Sequence, residues 1–549
     1  MKKFKKTGRI LALSTACFCL LGSFVGCGGN DDKLKEGKTV LLKISPFNGG
    51  YGLDWLDAIV EEYEKENPEV QINYSRTVVD RSKQMTAIRS GVADCDLYFT
   101  TNNIHAEIYS QTEIESINEV YEAIGDNINS SVKQWFEHDG NYYSIPWATG
   151  VLGFLYHKDF FDANNISLPR TTNELFQVAD NINSLRGQGK TKSYAFTYCD
   201  DVDIGGCYLD YPANSWFAQY EGLENYENYW KGTTHDGRTG VEANDINSDY
   251  TGILRVLEEY ERMLLPSNNY NHPKSKDDSF TEVQSRFLSK EAIMMINGDW
   301  IVQEMRKGNN FTEEETKDVT FMPLPVISSM VETMPLWQEA DGVVYRKGKS
   351  TDNAISEEKR AKYDKALATI IDYVDGAITE KPVSVEGIDI SDDDIARVRE
   401  ARSIVPSMPT SLNAVIPSSA KQKAEAKKFL TYMYSKKGSM LYAKNVYGGG
   451  LPVSYTDAEI AEIVGDSLFM KDTYDMINAS YFTFAANAKS YIFSMNGLSM
   501  FYRSDNKSFV EMFAATAASN YENAYTFYTK VGVQTATNWD NFSKNLSGK

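Results

Sequence analysis

Val40-Leu41-Leu42-Lys43-Ile44, closed by Ser45-Pro46, is a short apolar run of the kind that makes a first strand. The segments after it decide the fold. Residues 53–65 set Trp55, Leu56, Ile59, Val60 and Tyr63 at helical spacing. Asn67-Pro68 ends that helix, because the residue before a proline is pushed out of the helical region. Val70-Gln71-Ile72-Asn73-Tyr74 then alternates as a strand does, Gln84 to Ser90 is helical with Gly91 as its C-cap, and Asp96-Leu97-Tyr98-Phe99 is a third strand. Strand, helix, strand, helix, strand predicts an α/β layer with a mainly parallel sheet.

Upstream, Lys2, Lys3, Lys5, Lys6 and Arg9 form a basic n-region, and Ile10 to Val25 is an apolar run broken by small residues. The run is too short for a membrane span and has the flanks of an export signal. Phe24-Val25-Gly26-Cys27, followed by Gly28-Gly29-Asn30-Asp31-Asp32, resembles a bacterial lipobox. That resemblance implies cleavage before Cys27 and acylation of its thiol; the alternative is an ordinary signal peptide with an incidental cysteine. Residues 1–26 are then the signal and 27–37 a Gly-, Asp- and Lys-rich tether. On this reading the protein works outside the cytoplasm, held to the membrane by lipid alone.

The 549 residues suffice for two domains of ordinary size, and 42% hydrophobic with 12% aromatic content supplies a sizeable core. The formal charge is −20, and five of the basic residues sit in the leader, so the remainder is more acidic still. Such a chain repels phosphate backbones and anionic headgroups, which argues against a nucleic-acid partner. Of the six cysteines, Cys95, Cys199 and Cys207 stay in the body of the protein. An odd count is a poor disulfide framework, although Cys199 and Cys207 could pair across a short Asp/Gly-rich loop.

Downstream, helical patterns cover roughly 172–186, 249–264, 281–290, 297–306, 355–375, 391–403 and 421–437, with 457–548 largely helical. Ser391 and Asp394 make a capping box for one of them. Residues 199–247 are rich in Asp, Asn, Gly, Tyr and Trp, and show little periodicity. There is no internal repeat.

Several separated segments resemble, in order, the extracellular solute-binding proteins of ABC importers that take oligosaccharides (family 1, maltose-binding-protein-like). They are the helix 55–65 with Asn67-Pro68-Glu69-Val70-Gln71-Ile72; Ser90-Gly91-Val92-Ala93-Asp94-Cys95-Asp96-Leu97; and Ile145-Pro146-Trp147 through Phe154-Leu155-Tyr156-His157-Lys158-Asp159. Leu168-Pro169-Arg170-Thr171 with Asn173-Glu174-Leu175 comes next, then the best match, Ala292-Ile293-Met294-Met295-Ile296-Asn297-Gly298-Asp299-Trp300. Pro323-Leu324-Pro325, Asn413-Ala414-Val415-Ile416-Pro417 with 426–434, and Gly450-Leu451-Pro452-Val453 complete the series. His157 departs from the family's usual Asn, residues 340–405 look like an insertion, and nothing past 455 carries a family motif.

The resemblance implies a two-lobed α/β fold of the periplasmic-binding-protein type (type II), with discontinuous lobes joined by a hinge and a ligand in the cleft between them. It places 38–146 with 326–450 in the N-terminal lobe and 147–325 with 451–549 in the C-terminal lobe, with hinge crossings near Pro146, Pro323–Pro325 and Gly448–Leu451. It further implies a monomeric, non-enzymatic receptor that hands a carbohydrate to the transmembrane subunits of an ABC permease at the outer face of the cell membrane, with no cofactor.

A sugar site needs flat aromatics for C–H faces and polar groups for hydroxyl rims. Trp147 follows the proline of the first crossing, and Trp300 stands at the position of a family stacking aromatic, its alternative being an anchor for the next helix. Trp216 in Asn214-Ser215-Trp216-Phe217 and Trp337 in Leu336-Trp337-Gln338-Glu339 divide evenly between cleft and core. Trp55 is either a ligand contact or the apolar face of its helix, while Trp135 and Trp539 read as core. Asn102 and Asn103 follow a strand, where ligands of open α/β sheets lie, or else start an Asx turn. Thr149 and Asp299, beside Trp147 and Trp300, complete the candidate set.

Other signals carry no chemistry. Gly189-Lys190-Thr191 lacks the first glycine and the preceding strand of a phosphate loop. The five histidines show no metal spacing, and Asp200-Asp201-Val202-Asp203 and Asp392-Asp393-Asp394 lack a full calcium-loop pattern. Two alternatives stand beside a transport receptor. One is a secreted glycoside hydrolase, whose two carboxylates need not be sequence neighbours; the other is a binding protein that feeds a sensor kinase.

Overall fold

A computed structural model of the chain describes residues 33–77, 81–101, 114–138, 140–198, 208–275, 277–308, 311–337, 357–408, 411–478, 481–484 and 508–530. The leader, Cys27, Asn102, Asn103, the Cys199–Cys207 pair and Trp539 lie outside these residues.

The chain begins as its pattern dictates. Strand β1 (Val40–Ser45) is followed by helix α1 (Asp54–Glu66), which buries Trp55, Leu56, Ile59, Val60 and Tyr63. Strand β2 (Val70–Tyr74), helix α2 (Arg81–Arg89), strand β3 (Leu97–Thr100) and strand β4 (Ile145–Pro146) come after it. The next strand, β5 (Leu152–His157), opens a second sheet; it precedes α3 (Thr172–Gly187), β6 (Tyr194–Thr197), α4 (Asp210–Glu221) and α5 (Gly252–Leu264). Then come β7 (Ala292–Gly298), α6 (Ile301–Gly308), β8 (Val319–Phe321), α7 (Glu357–Val374), α8 (Asp392–Arg402) and β9 (Ile404–Ser407). The chain closes with β10 (Asn413–Val415), α9 (Lys436–Asn445), α10 (Leu468–Ile477), β11 (Tyr481–Phe484) and α11 (Phe509–Lys530).

These strands form two main sheets, one per lobe, while β9 and β11 make a separate two-stranded one. The N-terminal sheet has the order β2-β1-β3-β10-β4, with β1 parallel to β2 and β3, and β10 antiparallel to β3 and β4. The C-terminal sheet has the order β8-β5-β7-β6, with β5 antiparallel to both neighbours. Every residue of β7 is buried, as a central strand covered on both faces requires. The loop after β1 meets the end of β7, where Gly50 and Tyr51 reach Trp300, as ligand-bearing loops of open α/β sheets do.

Two regions differ from the sequence pattern. Residues 199–247 contain α4 and the helices Leu223–Trp230 and Ala243–Asp249. All twelve residues of α4 are buried, so it has no polar face and shows no amphipathic period. The second difference is the route between lobes. At Pro323–Pro325, where a crossing is expected, the chain stays on the C-terminal lobe. Val326 exchanges backbone hydrogen bonds with Arg170 and Thr172. The Ile327 N–H donates to Gln219 Oε1 (3.0 Å), and the Trp216 indole N–H to the Pro325 carbonyl (2.9 Å). Helices α7 and α8 stay with that lobe: Arg170 pairs with Asp372, and Arg397 Nη2 donates to the Tyr220 carbonyl (3.1 Å). The chain returns only after β9, where Met408 N–H donates to the Gly150 carbonyl and Trp147 N–H to that of Leu412. The described residues of 326–403 therefore pack with the C-terminal lobe rather than the N-terminal one, because prolines interrupt a strand without setting where the chain goes next.

The described residues past 455 cover the same lobe. Helix α10 packs on β8, β11 pairs in parallel with β9, and α11 lies along α5 with the Tyr521 hydroxyl donating to the Tyr229 carbonyl (2.8 Å). No helix among the described residues is long and apolar enough to cross a membrane.

Candidate functional site

Three backbone segments run side by side between the lobes. Thr149 donates both its N–H (2.8 Å) and its hydroxyl (2.9 Å) to the Gly450 carbonyl, and Gly150 sits against Met408 and Leu412. Gly448 has φ +97, and a Cβ there would stand 1.9 Å from the Asp299 carbonyl oxygen. Only glycine lets this segment pass so close to the end of β7.

Where these segments meet the loops after β1 and β7, aromatic rings of both lobes converge. In the loop after β1, the Tyr51 ring meets Trp147 edge-on (centroids 5.6 Å) and Trp300 edge-on (6.0 Å). Tyr208 meets the other side of Trp300 at 5.2 Å, and Phe47 lies 6.0 Å from Trp147. A Cβ on Gly50 would come within 2.9 Å of the Trp300 side chain, so the two lobes touch at this point. The Tyr51 hydroxyl crosses to donate to Asp299 Oδ1 at 2.5 Å, while Asp299 Oδ2 accepts the Val151 N–H at 3.2 Å. Burial drives the Asp299 carboxyl up to about 8, against the downward pull of these two donors. Burial and the adjacent Asp299 raise the Tyr51 phenol well above its ordinary range, so it stays a donor. Lys307 in the last turn of α6 pairs with Asp54 in the first turn of α1 (2.7 Å) at the exposed edge of the contact.

The residues marked in the sequence fall in different places. Trp300 is at the interlobe contact and 7% exposed, with Asp299 fully buried beside it. Trp147 lies beneath, fully buried, stacked on Trp55 at 5.9 Å, with its indole N–H on the Thr100 carbonyl (2.8 Å). Trp55 is equally buried and donates to the Gly52 carbonyl. Trp216 sits inside the C-terminal lobe between Phe154 and Tyr260. Trp337 packs on Tyr363 of α7 at 4.6 Å. Thr149 is buried in the hinge. Asn102 and Asn103 lie outside the described residues.

Phe47, Tyr51 and Tyr208 stand at this interlobe cluster, and the sequence pattern does not single them out. A signal for the first two is present: Phe47-Asn48-Gly49-Gly50-Tyr51-Gly52 is an aromatic- and glycine-rich loop at the carboxyl end of a strand. Asp210, two residues beyond Tyr208, is buried with neither carboxylate oxygen hydrogen-bonded among the described residues, and burial raises its pKa well above the ordinary range. Among the described residues no group of three or more His, Cys, Asp or Glu is placed to hold a metal ion. Cys95 is disulfide-bonded, a state the odd cysteine count did not predict.

The match to known proteins follows the same outline. The model of the family described as bacterial extracellular solute-binding protein matches residues 58–355, more than half of the chain. A multiple sugar-binding protein of Streptococcus mutans is 21% identical over 309 residues, covering 56% of this chain and 67% of that protein. Among solved structures, a chitin oligosaccharide binding protein superposes with a TM-score of 0.55 at 14% identity, covering 88% of this chain and 99% of that one. The bacterial solute receptor AcbH, described as having an exclusive preference for β-D-galactopyranose, gives 0.55 at 12% identity with the same coverage. At such identities these structures speak for the fold.

Proposed function

The chain belongs to the bacterial extracellular solute-binding proteins, and on that premise we propose that it captures a sugar or oligosaccharide between its lobes and delivers it to an ABC transporter. The observation that carries this reading is the aromatic wall of Trp300, Tyr208, Tyr51 and Phe47, with Asp299 set into it, at the meeting of two strand ends. Flat rings stack on pyranose C–H faces and carboxyl groups hold hydroxyls, which is the chemistry a sugar demands. The names of the relatives support the ligand class: one is called a multiple sugar-binding protein, another a chitin oligosaccharide binding protein.

The site we propose comprises Trp300 and Asp299 from the marked set, joined by Tyr51, Phe47 and Tyr208, with Asn102 and Asn103 at its N-terminal rim. Trp55, Trp147, Trp216 and Thr149 support it from behind through packing and backbone hydrogen bonds. The protein works as a monomeric receptor without catalysis, anchored outside the cell by a lipid on Cys27. Cys27→Ser is expected to release it to the medium; equal membrane retention in the mutant removes the anchor.

A panel of oligosaccharides, screened by thermal shift and followed by titration calorimetry, tests the function. At least one carbohydrate should raise the melting point and bind saturably, with no new reducing ends after long incubation. Absence of any carbohydrate binder overturns the proposal, and release of reducing ends turns it into a glycoside hydrolase.

A further inference from the structure

A second cavity, of about 490 Å³, opens on the flank of the hinge. Its position is set by strand pairing. On the edge of β5 away from β7, β8 pairs with Leu155, Tyr156 and His157, and β9 bridges to Val151, just before β5. At Leu152 and Gly153, between these two pairings, β8 and β9 diverge, and the cavity fills the space between them. Asp299 and Trp300 follow β7 on the other edge of β5, so this cavity is separate from the interlobe aromatic wall. Met322 and Leu324 wall it on one side, Ile404 and Pro406 on the other, and Met476 of α10 closes it. Its volume lies in the range of small-molecule sites, roughly 300–1,000 Å³.

The polar groups in this apolar shell define what would fit. Tyr156 is 5% exposed, and its hydroxyl has no hydrogen-bond partner among the described residues; its ring rests on Phe161. Asp472 uses one oxygen to accept the Thr320 hydroxyl at 2.6 Å and leaves the other unused among the described residues. Burial raises the Asp472 carboxyl, and burial with the charges of Asp472 and Asp162 pushes the Tyr156 phenol up to about 12, so the phenol keeps its proton beside a carboxylate. Arg402 also lines the cavity, with its charge paired and three of its five N–H donors engaged: two on Asp375 (2.9 and 2.7 Å) and one on the Leu324 carbonyl (2.9 Å). Asp475 holds Lys471 at the rim (2.7 Å). Inside the rim, one Asp472 oxygen and the Tyr156 phenol remain unengaged among the described residues; the second Asp475 oxygen is also open at the rim, and the one cation of the lining, Arg402, is already paired with Asp375.

That balance selects a ligand class. An anion meets two carboxylates and no unpaired base. A sugar brings many hydroxyls to a shell with few partners, and each hydrogen bond left unmade carries a desolvation penalty. An apolar body with a single ammonium fits both the walls and the two unused acceptors. We propose that this cavity is a second binding site, for a small apolar amine whose ammonium donates to Asp472 and to the Tyr156 oxygen.

The probe is phenethylamine, titrated into the purified protein by calorimetry and by ligand-observed NMR, with phenethyl alcohol and hydrocinnamate as neutral and anionic counterparts. Saturable one-to-one binding of the amine is expected, weaker binding of the alcohol and none of the acid. Asp472→Asn should weaken the amine about tenfold while leaving the alcohol nearly unchanged, as loss of one charge-assisted hydrogen bond would. Met476→Trp should fill the cavity and abolish binding of both. Each variant is checked by its melting curve, and Tyr156→Phe, which deletes a single atom, gives an independent reading with a few-fold loss. The proposal is overturned if the amine does not saturate, if the acid binds as well as the amine, or if Met476→Trp leaves amine binding intact.

Discussion

Trp147 and Trp300 stand on the two sides of the interlobe groove, and the sequence marks both by the same cue, a tryptophan at the end of a recognisable family segment. The structure gives them different work. Trp147 is fully buried, stacked on Trp55, edged by Phe99 and Tyr51, with its N–H on the Thr100 carbonyl. Trp300 meets its neighbours only edge-on, and one of them, Tyr51, belongs to the other lobe. A ring with fixed neighbours in its own lobe contributes to folding, whereas a ring whose neighbours move when lobes part is free to exchange them for a ligand.

The largest test of that contrast is Trp147→Ala. It should lower stability by about 3–5 kcal/mol, as removing a buried tryptophan usually does, measured by chemical denaturation of the free protein. A loss below about 1 kcal/mol would mean the surrounding cluster collapses around the gap, and the contrast would fail.

Trp300→Ala comes next. On the proposed function it weakens carbohydrate binding by about tenfold to a hundredfold, read by titration calorimetry. Its cost in stability should be less than half that of Trp147→Ala. If the two variants melt alike and Trp300→Ala still binds, both tryptophans are packing residues.

Charge sharpens the comparison between the groove and the outer edge of the C-terminal sheet. Asp299 is held by burial at about 8 in the folded protein, above the roughly 3.9 of an unfolded Asp. The folded chain keeps a proton that the unfolded chain has lost, so this contribution is complete below about pH 4 and is lost as pH rises to about 8. Asp318 behaves oppositely. Burial pushes it up, but His157 Nδ1 at 3.1 Å and Lys290 Nζ at 2.8 Å bring it down to about 2. Its contribution is present above about pH 4 and is lost as pH falls toward 2. Melting temperature against pH should therefore show two limbs. Asp299→Asn should flatten the one between pH 4 and 8 and leave the acid limb, and Asp318→Asn should do the reverse. Failure of Asp299→Asn to change the slope would place that carboxyl in contact with water.

Much of this organisation was legible in the chain. The first strand–helix–strand repeat shows cleanly because α1 has one apolar stripe and a polar face. Helix α4 was hidden because a helix buried on all sides has no such contrast. The route after Pro325 was hidden for another reason: hydrogen bonds from Val326 and Ile327 to Arg170, Thr172 and Gln219 fix it, and these are long-range contacts with no local pattern. In the site, Trp300 was legible because the segment around it matches a family motif. Tyr51 was not, because its glycine-rich loop carries no such motif, although it follows the end of β1.

Tyr51→Phe has the smallest expected effect and bears most directly on how the lobes hold each other. It deletes one oxygen and keeps the ring against Trp147 and Trp300. The 2.5 Å hydrogen bond to Asp299 disappears, leaving Val151 N–H as the remaining donor to that carboxyl from another residue. A net loss of about 0.5–1.5 kcal/mol is expected for such a bond, and it falls on the closed arrangement because the donor and acceptor belong to different lobes. The ratio of closed to open molecules should fall by roughly two- to tenfold. Small-angle scattering of the ligand-free variant should show a larger radius of gyration, with a melting midpoint close to that of the parent, since neither lobe loses an internal contact. If scattering is unchanged and the melting point drops instead, Tyr51 acts within its own lobe, and Trp300 loses the cross-lobe neighbour that sets it apart from Trp147.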